Sequence, residues 1–265
     1  MYIFTLLEQY SLISIFALVL LSATAGFIDA IVGGGGLIQI PALLINLPNT
    51  SLPTLFGTNK IAALSGTSFS AYQYSKRVKF DYKLLLIIAL FAFLASYLGA
   101  SVVSRLPTEK LKPALLLILI LIAFYTFFNK ELGTSNYKTL PPYKQRIYGG
   151  IIGVLVGFYD GLFGPGTGSF FVLGFVVILG FDFLQASAYA KVINCLTNIS
   201  ALFLFIKQGN YIIEIALLLA ICNVIGSIIG TRLALNKGNT FIRIIFLIIV
   251  CLMIVRYGYD VLFKN

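Results

Sequence analysis

Residues 11–32 read SLISIFALVLLSATAGFIDAIV, and Asp29 is the only charged residue in this stretch. A helix of about 20 apolar residues is long enough to cross the hydrocarbon core of a bilayer. Residues 83–103, 110–128, 186–206 and 241–261 have the same apolar character. These runs are continuous, whereas the strands of a membrane barrel alternate apolar and polar residues. The sequence therefore predicts an all-α integral membrane protein.

The composition does not fit a water-facing surface. Of the 265 residues, 59% are hydrophobic and 11% are charged. The formal net charge is +10, and most Lys and Arg lie in short loops, as the positive-inside rule of membrane proteins requires. Because no basic residues cluster on a soluble face, we expect the lipid bilayer and no nucleic acid as a partner. Cys195, Cys222 and Cys251 lack metal-ligand spacing, so we expect neither a metal nor a cofactor.

An internal repeat covers most of the chain. A shift of 131 residues places GFID at 26–29 on GFYD at 157–160, and no gap is needed after that point. Gly, Asp and Lys are unusual or costly inside a membrane, so these matches are more than shared apolar composition. The repeat predicts two tandem homologous units, residues 1–130 and 147–265, joined by a polar linker at 131–146. Further residues that match under this shift are Gly33 with Gly164, Gly35 with Gly166, Lys60 with Lys191, Lys76 with Lys207, Ser96 with Ser227, and Gly99 with Gly230.

Each predicted unit contains one span, one short glycine-led segment and three further apolar helices. The glycine-led segments, residues 33–47 and 164–180, would rise only ~22 Å as helices and fall short of a ~30 Å core. If they are re-entrant, each unit has four crossings and the units run parallel. If they cross, each unit has five crossings and the units are inverted, a common plan among transporters. The sequence predicts eight to ten spans in total.

Basic residues predict the orientation in the membrane. Residues 76–83 and the hydrophilic stretch 129–146 share one side under either count of spans, and they carry more Lys and Arg than the opposite side, which holds Arg105, Lys110 and Lys112. The positive-inside rule makes the richer side cytoplasmic. We therefore expect a multi-pass protein of the cell membrane, plasma or inner, with both stretches facing the cytoplasm.

Four ionisable residues fall in or beside the apolar spans at equivalent places: Asp29 with Asp160, and Lys60 with Lys191. Charges inside a membrane indicate a functional site by default. Two structural alternatives stay open. Each Asp could pair with a Lys and simply tie a unit together, or it could cap the glycine-led segment that follows it.

The glycine-led segments lie at matching places in the two halves, so we expect them to meet near the middle of the membrane. They are candidate anion-binding elements. Unwound backbone followed by a short helix directs free N–H groups and a positive dipole end at one point. The alternative is close helix packing through small residues. No Lys-Ser/Thr pair follows the glycines, which argues against a nucleotide loop. The candidate residues are Gly33, Gly34, Gly35 and Gly36 in the first unit, and Gly164, Pro165, Gly166 and Thr167 in the second.

Polar residues also mark the helix after each glycine-led segment. Asn59 precedes Lys60 in the first unit. In the second unit, spacings of three and seven place Lys191, Asn194 and Asn198 on one helix face, which Ser187 extends. A polar stripe of this kind favours a cavity over lipid, although hydrogen bonds between helices could also account for it.

These motifs together resemble the TauE/SafE family of membrane transporters. The resemblance rests on GFIDAIVGGGGLI at 26–38, GTNK at 57–60, GFYDGLFGPGTGS at 157–169 and AKVIN at 190–194, so it extends over nearly the whole chain. It implies a bacterial-type carrier of the plasma membrane, in a family whose members are associated with export or uptake of sulfite and organosulfur anions.

The function that we expect is secondary transport of a small anion, such as sulfite, a sulfonate or another organosulfur anion. H⁺ and Na⁺ are the candidate coupling ions. The substrate site would include all the glycine-led, aspartate, asparagine and lysine candidates named above, and no catalytic residue. The alternatives are an intramembrane enzyme or a non-transporting membrane subunit. An enzyme is disfavoured because the chain has no His and its cysteines do not cluster.

Overall fold

The computed structural model describes residues 11–47, 49–102 and 140–263, and this part of the chain is helical. Its elements in chain order are α1 (Leu12–Val32), α2 (Gly36–Asn46), α3 (Leu52–Ser75), α4 (Tyr82–Val102), α5 (Pro142–Leu162), α6 (Thr167–Gly174) with a π-helical turn at Phe175–Leu179, α7 (Phe183–Lys207) and α8 (Ile213–Phe263). Gly238, with φ 69° and ψ −159°, interrupts α8. The all-α prediction is confirmed.

Side-chain caps fix the start of several helices. The hydroxyl of Ser11 accepts a hydrogen bond from the N–H of Ser14 at 3.1 Å, and the Asp182 carboxylate accepts one from the N–H of Gln185 at 2.7 Å. Ser51 begins α3 in the same manner. Such caps satisfy N–H groups that have no partner within the first turn.

Four of these helices are long and apolar enough to cross a membrane: Leu12–Val32, Tyr82–Val102, Phe183–Lys207 and the part of α8 over Ile213–Ile248. They confirm three of the predicted spans, those at 11–32, 83–103 and 186–206. Another predicted span, at 241–261, lies in α8 beyond the break at Gly238. The predicted span at 110–128 lies outside the described residues. The total of eight to ten spans stays a prediction.

The outer surface of the helices is apolar. On α4 and α8 the exposed large residues recur every four positions, so they form one stripe along each helix. An apolar stripe that faces outward over this length fits contact with lipid. The stripes consist of Leu86, Leu90, Leu94 and Leu98 on α4, and of Ile213, Leu217, Ile221, Ile225 and Ile229 on α8.

Glycines allow α4 to pack tightly on α5, and α8 on α1. A Cβ atom at Gly99 of α4 would lie 2.1 Å from the carbonyl oxygen of Phe158 in α5. A Cβ atom at Gly230 of α8 would lie 2.4 Å from the carbonyl oxygen of Phe27 in α1. Small residues at such contacts let backbones approach closely. The two contacts are related by the 131-residue shift, and each joins one predicted unit to the other.

The start of α5 differs from the sequence-based boundary. The second unit was expected to begin at 147, after a linker at 131–146, but the helix begins at Pro142. Proline suits the first turn of a helix because its missing N–H would have no helical partner there. Residues 140 and 141 are not helical, and the linker residues 131–139 lie outside the described residues. The division into two equivalent structural units stays a prediction.

The two glycine-led segments form short helices. α2 has 11 residues, and the apolar helix Thr167–Leu179 is also shorter than the spans. At ~1.5 Å per residue, neither reaches across a ~30 Å core. Whether they are re-entrant or crossing stays a prediction, as does the cytoplasmic side of residues 76–83 and 129–146.

Candidate functional site

Two buried ion pairs join helices that are distant in the sequence. The Nζ atom of Lys60 lies 2.6 Å from Oδ2 of Asp160, and that of Lys191 lies 3.1 Å from Oδ2 of Asp29. All four residues are at least nine-tenths buried. Each lysine therefore pairs with the aspartate of the other predicted unit. Buried charges of this kind are stable only when they are paired and hydrogen-bonded.

The position of each aspartate explains how the lysines are held. Asp29 and Asp160 lie in the last turns of α1 and α5, where the helix dipole is negative. The ammonium of Lys60 also donates to the backbone oxygen of Asp160 at 3.2 Å. The ammonium of Lys191 donates to the backbone oxygen of Asp29. Each cation thus closes the end of a helix as well as pairing with a carboxylate.

The capping interpretation of the aspartates is not observed. Within the described residues, the Asp29 carboxylate accepts hydrogen bonds from Lys191 and Thr67, and that of Asp160 accepts one from Lys60. The short helices have glycines at their N-caps, so no side chain caps them there. The aspartates pair with lysines, but each pair links the two predicted units instead of tying one unit together.

The two glycine-led segments contact each other, as the sequence predicted. A Cβ atom at Gly33 would lie 2.3 Å from the backbone of Gly168, and one at Gly36 would lie 3.2 Å from Cα of Pro165. The hydroxyl of Ser169 donates to the carbonyl of Val32 at 2.9 Å. Close packing through small residues is therefore real here. That this contact lies near the middle of the membrane stays a prediction.

Left-handed glycines end α1 and α5 and turn the chain into the short helices. Gly33 has φ 83° and Gly164 has φ 84°, a region that other residues rarely adopt. The following N–H groups are directed away from regular helical partners. Within the described residues, the backbone N–H groups of Gly34, Gly35 and Gly36 have no hydrogen-bond acceptor, and neither do those of Gly166 and Gly168.

The structure gathers most of the predicted site residues around the two ion pairs. A Cβ atom at Gly164 would lie 3.6 Å from Nζ of Lys60, and one at Gly35 would lie 2.7 Å from Cβ of Asp29. The hydroxyl of Thr167 donates to the carbonyl of Gly164 at 2.8 Å. These contacts bring the glycines and charged residues into one region.

The predicted polar stripe of α7 is buried. The side-chain hydroxyl of Ser187 donates to the carbonyl of Ile31 at 3.5 Å, and the Asn194 amide oxygen accepts from Thr197 in the same helix. Asn198 is 3% exposed and Asn59 is 5% exposed. Neither of these two amides has a hydrogen-bond partner within the described residues, and Oδ1 of Asn59 is fully buried.

Sequence reasoning missed two groups of polar residues. Thr67 donates to Oδ2 of Asp29 at 2.9 Å, and its spacing of seven from Lys60 could have indicated it. Gln39 of α2 accepts from Asn223 of α8 at 2.9 Å and donates to Ser22 of α1 at 3.3 Å. The 131-residue shift aligns Gln39 with Phe170, so the repeat gave no signal for it. No group of three His, Cys, Asp or Glu residues clusters in the described ranges in a way that could hold a metal.

The sequence of the chain is similar to those of membrane transporters. The family model described as sulfite exporter TauE/SafE matches residues 18–257. The chain is 36% identical over 210 residues to a probable membrane transporter protein, ORF9, of Sinorhizobium sp, covering 78% of each chain. It is 33% identical over 213 residues to a probable membrane transporter protein of Haemophilus influenzae, covering 78% of this chain and 80% of the other. It is 35% identical over 214 residues to the probable membrane transporter protein YfcA of Escherichia coli, covering 78% and 76%. No solved structure matches the chain.

Proposed function

Because the chain belongs to the TauE/SafE family of membrane transporters, we propose that it is a secondary transporter that carries a small anion across the cell membrane. Sulfite, a sulfonate or another organosulfur anion is the proposed substrate. The name of the family model supports sulfite as the first anion to test.

The observation that carries this proposal is the placement of two buried lysines beside two facing glycine-led segments. Each ammonium has three donors, and two are used on the aspartate of its pair. One donor of each lysine therefore has no acceptor within the described residues. Free backbone N–H groups at the start of α2 and α6 add partial positive charge in the same region. Such a set of donors is suited to an oxyanion.

The ion pairs also suggest how binding could drive a conformational change. Lys60 on α3 holds Asp160 on α5, and Lys191 on α7 holds Asp29 on α1, so each pair links helices of the two predicted units. An anion that binds an ammonium competes with the carboxylate for it. The contact between helices then weakens, which is the change that alternating access requires.

The same electrostatics gives a reason for ion coupling. One ammonium that faces both a carboxylate and a bound anion leaves a net negative charge in a region of low dielectric, and burying such a charge is costly. A proton on the carboxylate, or a Na⁺ ion beside it, would remove that charge. We therefore propose H⁺ or Na⁺ as the co-transported ion.

Flux measurements on purified protein in liposomes test the proposal. We expect labelled sulfite to enter proteoliposomes faster than protein-free liposomes, and an imposed H⁺ or Na⁺ gradient to change its accumulation. The variant Asp160→Asn with Lys60→Met removes both charges of one pair and should be inserted normally but carry little sulfite. Sulfite flux no faster than in protein-free liposomes would contradict the proposal, and so would full flux in the double variant.

A further inference from the structure

We propose that the two ion pairs have different roles: Lys60 and Asp160, with the amides of Asn59 and Asn198, bind the transported anion, whereas Lys191 and Asp29 hold the helices together. This inference rests on the proposed anion transport and assigns it to one of two pairs that the repeat makes look alike.

The Lys191/Asp29 pair has an additional brace. Oδ2 of Asp29 accepts hydrogen bonds from Nζ of Lys191 at 3.1 Å and from the hydroxyl of Thr67 at 2.9 Å. One carboxylate oxygen thus connects α1, α3 and α7. We read this pair as a structural joint.

The Lys60/Asp160 pair lacks that brace. The residue that the 131-residue shift aligns with Thr67 is Asn198, and its amide donates to no described acceptor. Asn198 precedes Ala201 by one helical turn, and Ala201 belongs to the same buried cluster as Phe56 and Leu162. Phe56 lies one turn before Lys60, and Leu162 lies two residues after Asp160. Since the same shift relates the two ion pairs, we expect Asn198 beside the Lys60/Asp160 pair, as Thr67 is beside the Lys191/Asp29 pair.

Asn59 gives a second, independent sign of a missing ligand. Its side chain is 5% exposed, and Oδ1 is a buried acceptor without a partner in the described part of the chain. Buried polar atoms are nearly always hydrogen-bonded, so an exception next to a charged residue calls for a reason. The residue aligned with it beside Lys191 is Ala190, which has no polar side chain. The position next to Lys60 therefore carries a buried acceptor without a partner, and the matching position next to Lys191 does not.

The carboxylate of Asp29 is slightly more exposed than that of Asp160, but this difference does not make Asp29 the anion site. The Asp29 side chain is 10% exposed and that of Asp160 is 2% exposed. The amide oxygen of Asn194, one turn after Lys191, already accepts from Thr197. The Lys60/Asp160 pair has no such brace and is adjacent in the sequence to the partnerless Oδ1 of Asn59, so it is the better anion site.

The hydrogen-bonding groups without a partner near Lys60 indicate the chemical class of the ligand. The third N–H of Lys60 and the amide N–H groups of Asn59 and Asn198 can donate to anionic oxygens. Oδ1 of Asn59 can only accept, so it requires a donor on the ligand. A small oxyanion that retains one O–H, such as hydrogensulfite, provides both. Its single negative charge also lowers the repulsion from Asp160.

The test compares Asn59→Leu and Asn198→Leu with Thr67→Val, each in proteoliposomes with labelled sulfite and in thermal unfolding. Removing an amide that has no partner in the protein leaves no bond broken, so the Leu variants should melt at or above the wild-type temperature. We expect the half-saturation concentration for sulfite to rise about tenfold or more, since a hydrogen bond to an anion is lost. Thr67→Val should do the opposite, with a lower melting temperature and a half-saturation concentration within about twofold of wild type.

The outcomes separate this inference from the proposed function. Wild-type protein that shows no saturable sulfite flux contradicts both. Saturable wild-type flux with an unchanged half-saturation concentration in Asn59→Leu and Asn198→Leu overturns the inference and leaves transport standing. Thr67→Val that weakens sulfite as much as Asn59→Leu would also overturn it, because the two pairs would then act alike. Asn59→Ala, which cannot overpack the site, replaces the Leu variant if that variant does not insert.

Discussion

The pairing of each lysine with the aspartate of the other predicted unit can be tested by double substitution. Asp29→Asn alone leaves Lys191 as an unpaired buried cation, and Lys191→Met alone leaves Asp29 as an unpaired buried anion. Breaking a buried pair by removing one partner typically costs about 3–5 kcal/mol, whereas removing both charges is often close to neutral. The double variant Asp29→Asn with Lys191→Met should therefore be more stable than either single variant.

The contrasting double variant takes one residue from each pair. Asp29→Asn with Lys60→Met strands both Lys191 and Asp160. If the two pairs are independent, the losses add to about 6–10 kcal/mol, which approaches the whole stability of a typical protein, about 5–15 kcal/mol. We expect this variant to fail to accumulate in the membrane, although it removes the same types of charge as the matched double variant.

Thermal unfolding in detergent provides the assay. The chain has no Trp, so a thiol-reactive dye that reports the exposure of buried Cys222 is a suitable probe, with Cys195 and Cys251 replaced. A loss of about 3–5 kcal/mol corresponds to a melting temperature lower by roughly 6–20 °C. Equal stability of the matched and mismatched double variants would refute the pairing.

Three further predictions concern the scaffold. Gly161→Ala should abolish or strongly reduce the folded fraction in the melting assay, because its Cβ would lie 1.9 Å from the carbonyl oxygen of Ser96. Gly150→Ala, whose nearest contact would be the Phe91 ring at 3.3 Å, should fold. Equal folding of the two variants would contradict the packing of α4 on α5. Gln39→Leu should lower the melting temperature by the equivalent of about 1–3 kcal/mol, because Asn223 loses its acceptor, and an unchanged melting temperature would argue against that hydrogen bond. In a cysteine-free background, Cys introduced at Ser135 or Lys79 should resist an impermeant thiol reagent in intact cells, and strong labelling would reverse the orientation.

The sequence was sufficient to predict several of the helices and to identify the charged residues that form the two buried pairs. Continuous apolar runs located α1, α4 and α7 within a few residues, because the length of a span is set by the thickness of the bilayer. The repeat identified Asp29, Asp160, Lys60 and Lys191, since charged residues are rare inside membranes and their recurrence is visible without a structure.

The choice of partners could not be predicted in the same way. Each lysine follows an aspartate by 31 residues in both halves, so pairing within a half and pairing between halves gave the same pattern. Only the structure decides between them, because there the lysine of α3 reaches the aspartate of α5 and the lysine of α7 reaches the aspartate of α1. Thr67 and Gln39 were missed because the repeat aligns them with different residues, Asn198 and Phe170, and a search for matches passes over such positions.

The most direct test of the account is to locate the anion. Crystals of the protein soaked with selenite, which has the shape and charge of sulfite, would show selenium by its anomalous scattering. The account predicts one buried selenium peak within hydrogen-bonding distance of Nζ of Lys60 and of the Asn59 amide, and no such peak in the Asp160→Asn, Lys60→Met variant. A buried selenium peak at Lys191 instead would contradict the account. So would the absence of a peak near either lysine at a selenite concentration that fully inhibits sulfite flux.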